Sequence, residues 1–243
     1  MRLIWKKKIL LKKFLNSNIT SMSYNILEKV LIMSKMTRSS SEIDAVREQI
    51  LLRAFEILIK NGFENLSMAK IGSKMKMTAA NLYNYYANKD ELLIAIHKKA
   101  YAMLYKKIHS AVSKANTPLE KFKNMIYAFV EFGINNVNLY DVMFNRPVRQ
   151  HSDYIGTPQE ALSLDEFRSS LKVLFLAVKI TREYRETRPN LKKVETKLLT
   201  IQIISAIHGI ISLHNSGMLS QIIDDPDVAF KKVIDNALRL ATG

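Results

Sequence analysis

The chain has 243 residues, no cysteine, and 37 Lys/Arg against 22 Asp/Glu, a net charge of +15. The lack of Cys excludes disulfides and thiolate metal sites and suits a reducing cytoplasm. With 48% apolar residues, few glycines and prolines and little strand-like alternation, the expected fold is all-α with an ample core.

The charge is unevenly placed. Residues 1–41 hold nine basic residues and one acid, net +8, while residues 42–100 hold +2 and the remainder +5. A basic balance suits a polyanionic partner. Residues 1–38 are expected to be a basic extension. Lys12-Lys13 interrupts the only candidate signal-peptide run, and no stretch reaches the ~20 apolar residues of a membrane span. Three readings of residues 1–35 stand: translated upstream sequence with initiation at Met33 or Met36, a basic arm tracking DNA, or a membrane-surface helix. No membrane partner is expected.

Ser39-Ser40-Ser41 precede the first helix, whose apolar face would be Ile43, Val46, Ile50, Ala54, Phe55, Leu58 and Ile59, with Asn61-Gly62 as its stop. Leu66 to Leu92 then reads as two short helices and the start of a third. Ser67 can cap the first, with Met68, Ile71 and Met75 inward; Lys76-Met77-Thr78 is the turn. Thr78 can cap the second, with Leu82 and Tyr86 inward. Asn88 and Glu91 make a capping box with Asn in the Ser/Thr position. Two short helices in this relation place the second in the DNA major groove.

A long helix, Asn88 to Lys114, follows and can act as a lever. Asn116-Thr117-Pro118 marks a boundary, Leu119–Asn136 the next helix, and Asn138–Phe144 a short helical piece. Asn145–Thr157 reads as a loop, in which Arg146 and Arg149 beside Pro147 could hold an acidic effector. Glu160–Thr187 and Leu191–Ser216 are helices, the second apolar on more than one face, so one side can meet a partner. Asp225-Pro226-Asp227 opens a last helix, Val228–Leu240.

From Glu42 to Leu93 the chain resembles the DNA-binding head of the tetracycline-repressor (TetR) family. The likeness runs through Ile50-Leu51, Ala54, Phe55, Asn61-Gly62-Phe63, Leu66-Ser67, Ile71, Thr78, Leu82-Tyr83, Tyr85-Tyr86 and Lys89-Asp90-Glu91-Leu92. Gly72 stands where the family usually has Ala, and Ala80 where it often has Gly. Gly72 should cost its helix up to ~1 kcal/mol. Leu139–Phe144 and Ala206–Leu213 are similar to two signatures of the family's WHG-type ligand-binding domain, with Ile207 in place of the usual Trp. The expected domains are a helix-turn-helix domain, 39–95, and a helical ligand-binding and dimerisation domain, 96–243.

The outward positions of the second short helix are Thr78, Ala79, Ala80, Asn81, Tyr83, Asn84 and Tyr85. Asn81 and Asn84 suit base edges, and the alanines a thymine methyl. Tyr83, Tyr85, Ser67, Thr78 and Lys89 suit phosphates, and Lys70, Lys74 and Lys76 add charge. Met68 completes the candidate DNA set. The resemblance also implies a ligand pocket, for which Tyr127, Tyr140, Met143, Phe144, Phe175, His208 and Met218 are candidates. Ser205, Gly209, Ser212 and Leu213 form the candidate dimer seam. His97, His109, His151, His208 and His214 have no metal-ligand spacing. No catalytic motif is present, and no metal or cofactor is expected.

The expectation is a one-component regulator: a homodimeric repressor on a palindromic double-stranded operator, released by an apolar or amphipathic small molecule. The alternatives are an activator, a regulator without inducer, or a helical interaction protein that binds a protein or membrane surface.

Overall fold

The computed structural model describes residues 39–225, together with 228, 232 and 234–236; among these there is no strand. The helices are α1 (Ser40–Asn61), α2 (Met68–Met75), α3 (Ala79–Leu82), α4 (Lys89–Val112), α5 (Pro118–Asn135), α6 (Val137–Tyr140), α7 (Glu160–Glu186), α8 (Thr196–Asn215) and α9 (Leu219–Ile222). A π turn, Asp141–Asn145, follows α6, and short 3-10 turns occupy Phe63–Asn65, His151–Tyr154 and Pro189–Leu191. The expected extension, 1–38, and most of the expected last helix lie outside the described residues.

Backbone contacts divide the chain into a unit of residues 1–47 and a unit of residues 48–243. In the first, Ser39 and Glu42 bond reciprocally: Glu42 N–H donates to Ser39 Oγ at 3.3 Å and Ser39 N–H to Glu42 Oε2 at 2.7 Å. Two open amides at the start of α1 are thereby satisfied.

In the larger unit α4 is the central helix, packed along α5 and α7, and α8 packs on the same two helices. Leu92, Ile96, Ala100, Leu104 and Ile108 recur every four residues on α4 and are almost wholly buried. Phe122 of α5 stacks on Tyr184 of α7 with ring centroids 4.3 Å apart. α5 begins as its sequence dictates: Thr117 and Glu120 form a capping box, and Pro118 takes the first turn, where no amide is missed. At Gly133 α5 meets α8 so closely that a Cβ would lie 2.8 Å from Ile211 Cγ2.

Several boundaries and faces differ from expectation. On α1, Ile57 is buried while Ile43 and Ile59 are exposed. α8 starts at Thr196 rather than Leu191, because Pro189 opens a 3-10 turn and the chain turns once more before Glu195. α8 also corrects the expectation that no stretch could span a membrane. By length and composition it is long and apolar enough, and less than a quarter of it is buried inside the structure. Its buried side is Leu199, Ile207 and Ile211; Leu198, Ile201 and Leu213 remain exposed.

Candidate nucleic-acid interface and ligand cavity

The two short helices are set by local bonds. Ser67 Oγ accepts from Lys70 N–H at 3.2 Å, and Thr78 Oγ1 from Asn81 N–H at 3.2 Å, so each helix has its side-chain cap. Between them Lys76 adopts a left-handed conformation, φ 54°, and its N–H reaches back to the Gly72 and Ser73 carbonyls. Met77 N–H also donates to Gly72 O, at 2.9 Å. The turn lies so close to α2 that a Cβ at Gly72 would be 2.6 Å from the Met77 carbonyl oxygen. The helix-propensity cost expected of Gly72 is therefore outweighed, since Ala would force the turn outward. Leu82 and Tyr86 anchor the motif from inside.

The outer face gathers Thr78, Ala80, Asn81, Tyr83 and Asn84 with Lys70 and Lys74, all exposed; Ser67 and Ala79 are half-buried beside them. Asn84 Nδ2 donates to Asn81 Oδ1 at 3.2 Å. Bidentate reading of adenine uses the donor and the acceptor of one amide, so this bond must open or the two amides must serve different bases. Two members of the expected set are corrected: Met68 and Tyr85 are 6% and 8% exposed and support the face from beneath. Lys89 is half-buried, its ammonium 4.6 Å from the Phe63 ring centroid. Lys70 bonds to Asn65.

The long helix starts at this motif. Asn88 Oδ1 accepts from Glu91 N–H at 2.8 Å, while Glu91 Oε2 accepts from Ala87 N–H at 2.7 Å. The expected capping box is thus shifted by one residue on its return bond. Arg146, just after the π turn, reaches across to Glu64 and also pairs with Asp141, each at 2.6 Å. Arg149 pairs with Asp90, in the first turn of α4, at 3.2 Å. These arginines tie the loop to residues of the helix-turn-helix region, and each is paired with a carboxylate of the chain itself.

A cavity of about 260 Å³ lies between α4, α5, α7 and α8. Tyr101, Phe129, Phe144, Leu174, Ile204 and Ile207 are among its walls, and no charged side chain lines it. Thr181 is fully buried on this wall, and its hydroxyl has no partner among the described residues. Of the candidates read from sequence, Phe144 alone lines this cavity. Tyr140 and Met143 are buried behind the wall, Tyr140 with its ring 4.8 Å from Phe144 and its hydroxyl 2.8 Å from His208 Nδ1. Burial pushes the Tyr140 hydroxyl up, so it remains protonated. Tyr127, Phe175 and Met218 are exposed. The Tyr127 hydroxyl donates to Asp235 at 2.6 Å instead. Periodicity could have found Phe129 and Ile207; nothing in the sequence marks Thr181.

At the expected dimer seam, Ser205 and Leu213 are exposed and Gly209 and Ser212 half-buried. A Cβ added at Gly209 would meet nothing within 4 Å, whereas Ser212 Oγ donates to Asn145 Oδ1 at 3.4 Å.

Comparison with known proteins agrees with this geometry. Residues 50–96 match the family model described as bacterial regulatory proteins, tetR family. Residues 122–237 match a second, described as tetracyclin repressor-like, C-terminal domain. The chain is 23% identical over 141 residues to the nucleoid occlusion factor SlmA of Pasteurella multocida, covering 58% of this chain and 68% of that protein. It is 23% identical over 118 residues to the HTH-type transcriptional activator FasR of Mycolicibacterium smegmatis, covering 49% of this chain and about half, 51%, of FasR. The transcriptional regulator FadR from Bacillus subtilis, solved in complex with stearoyl-CoA, shares the fold: TM-score 0.57 at 16% identity, covering 79% of this chain and 97% of that one. The chain belongs to the TetR family of bacterial transcriptional regulators, with a helix-turn-helix DNA-binding region followed by a helical C-terminal domain.

Proposed function

We propose that the protein is a homodimeric repressor of a palindromic operator, released by an apolar small molecule held between α4, α5, α7 and α8. Ser67, Lys70, Lys74, Thr78, Ala79, Ala80, Asn81, Tyr83, Asn84 and Lys89 form the DNA face. Two copies of α3 must sit ~34–36 Å apart to read half-sites one turn apart. Support for a dimer comes from the apolar side chains that α7 and α8 expose: Phe167, Leu174, Phe175, Leu198, Ile201 and Leu213. The stripe of Ser205, Gly209 and Ser212 would let a partner helix approach closely.

The observation that carries the release mechanism is one short turn with two duties. Phe144, in the π turn Asp141–Asn145, lines the cavity, and Arg146, the next residue but one, braces Glu64 beside the helix-turn-helix. A ligand that prefers a different setting of Phe144 shifts this turn and the brace with it, weakening DNA binding by its differential affinity for the two settings. The charge-free wall favours a hydrocarbon chain or ring, and Thr181 can donate to one acceptor on it. The stearoyl-CoA complex of the similar FadR supports a long-chain acyl group as the first class to try.

The test is a fluorescence-anisotropy competition with a saturated acyl chain added to the protein–operator complex. Release is expected, and release should be lost in Ala177→Leu, which fills the cavity. Chains that release the native protein and the variant alike would contradict this mechanism. A second reading, a helical protein that meets a protein or membrane surface through α8, is favoured by the exposed apolar length of that helix. Light scattering separates the two: a dimer that Phe175→Glu converts to monomer supports the repressor architecture.

A further inference from the structure

A second cavity, also about 260 Å³, lies where α4 leaves the helix-turn-helix, bounded by α4, the loop after the π turn and the start of α7. Phe63, Leu93 and Val148 give it apolar wall; Arg146, Arg149, Asp90, His97 and Glu166 give it ionisable wall. The arginines are paired with Glu64, Asp141 and Asp90. Glu166 is not so served. Its side chain is 20% exposed, and its one ionic neighbour among the described residues is His97, with Nδ1 4.0 Å from Oε1. The His97 side chain is 8% exposed, and its Nε2 has no hydrogen-bond partner among the described residues. Burial holds this imidazole down, at about 4, so it is neutral at ordinary pH and brings Glu166 no positive charge.

We propose that this cavity binds a small organic monocation, a primary or secondary ammonium ion on an apolar body, with its charge on Glu166, a second N–H toward His97 and its hydrocarbon against Phe63, Leu93 and Val148. An anion would meet Glu166 and arginines already occupied. A neutral ligand would leave the carboxyl unpaired, and no three His, Asp or Glu side chains among the described residues come together to hold a metal. The site is distinct from the cavity between α4, α5, α7 and α8 and does not depend on the reading given to that one.

The site carries a pH signature. Burial pushes Glu166 up to about 7, whereas the bound cation needs a carboxylate, so binding below that pH expels a proton. Affinity therefore rises with pH and levels off above about 7. His97 and Tyr101 of α4 and Tyr154 of the loop face the carboxyl, while Asp90 and Arg149, paired with each other, line the same cavity. Both tyrosines are pushed up and stay neutral throughout this range.

The experiment is calorimetric titration of the full chain with phenethylammonium at pH 6 and pH 8, with phenethyl alcohol as the neutral probe. Glu166→Gln keeps the shape and removes the charge, and its melting curve establishes that it folds; Ala177→Leu blocks the other cavity. The amine should bind more tightly at pH 8, lose about tenfold or more in Glu166→Gln, and be unaffected by Ala177→Leu. Binding no tighter than the alcohol's, equal binding in Glu166→Gln, loss in Ala177→Leu, or no binding up to the solubility of the probe would each overturn the proposal.

Discussion

The two cavities have nearly the same volume and opposite chemistry. The one between α4, α5, α7 and α8 has no charged side chain, and the buried Thr181 hydroxyl on its wall has no partner among the described residues. The one beside the helix-turn-helix is ringed by carboxylates, arginines and a buried histidine. Volume thus says little about a ligand; the polarity of the wall decides which charges can enter, because burying an unmet charge costs far more than filling space gains.

The contrast breaks most sharply if charge is put where there is none. Thr181→Asp would place a carboxylate on a fully buried wall with no cation, and should cost about 3 kcal/mol or more in chemical denaturation. A loss under 1 kcal/mol would mean that the cavity is wetter than its walls imply.

A smaller and pH-dependent effect belongs to the charged cavity. Between 4.5 and about 7 the folded chain holds the Glu166 proton more tightly than the unfolded chain does, so this group's contribution to stability falls as pH rises. His97 acts in the opposite sense: between about 4 and 6.5 the unfolded chain binds more protons, so its contribution rises with pH. Glu166→Gln removes the first slope and leaves the second. Its denaturation midpoint should climb more steeply between pH 5 and 8 than that of the native chain, and exceed it at pH 8. Parallel profiles would show that Glu166 is solvated in the folded state.

Thr181→Val sharpens the comparison from the other side. Removing a buried hydroxyl without a partner should raise stability by up to ~1 kcal/mol, read as a higher denaturation midpoint. A lower midpoint would mean that the hydroxyl is satisfied by water. The smallest change is expected at the brace: Arg146→Ala should cost no more than ~1 kcal/mol, because its partners are partly solvated. The same variant should alter the response of operator binding to an acyl ligand. An unchanged response would remove the π turn from the mechanism.

The helix-turn-helix was largely legible in the sequence because its signals are local. Ser67, Thr78 and Asn88 cap helices with hydroxyls or an amide a few residues from the groups they satisfy. Tyr85 was legible but misplaced: it lies three residues after Leu82, on the same side of the helical period, and is buried with Leu82 and Tyr86. The close approach at Gly72 depends on the path of Met77, which composition does not encode. In the body, the i+4 stripe of α4 could be read, but the pocket could not. Phe175 and Met218 look like wall residues until packing leaves them outside, while Thr181 becomes one only because α7 turns it inward against α4 and α8. The pairing of Arg146 with Glu64 joins residues 82 positions apart and has no local signal at all.

The central claim is that the face built by α2 and α3 reads DNA. The most direct test is an anisotropy titration of the full chain against its own upstream duplex at several salt concentrations, with Lys74→Ala and Asn84→Ala beside it. The account predicts binding that survives excess random DNA and falls steeply with salt. Lys74→Ala should lower the salt slope by about one, and Asn84→Ala should weaken binding to the operator but not to random DNA. Affinity for the upstream duplex equal to that for random DNA, or unchanged in both variants, would contradict it.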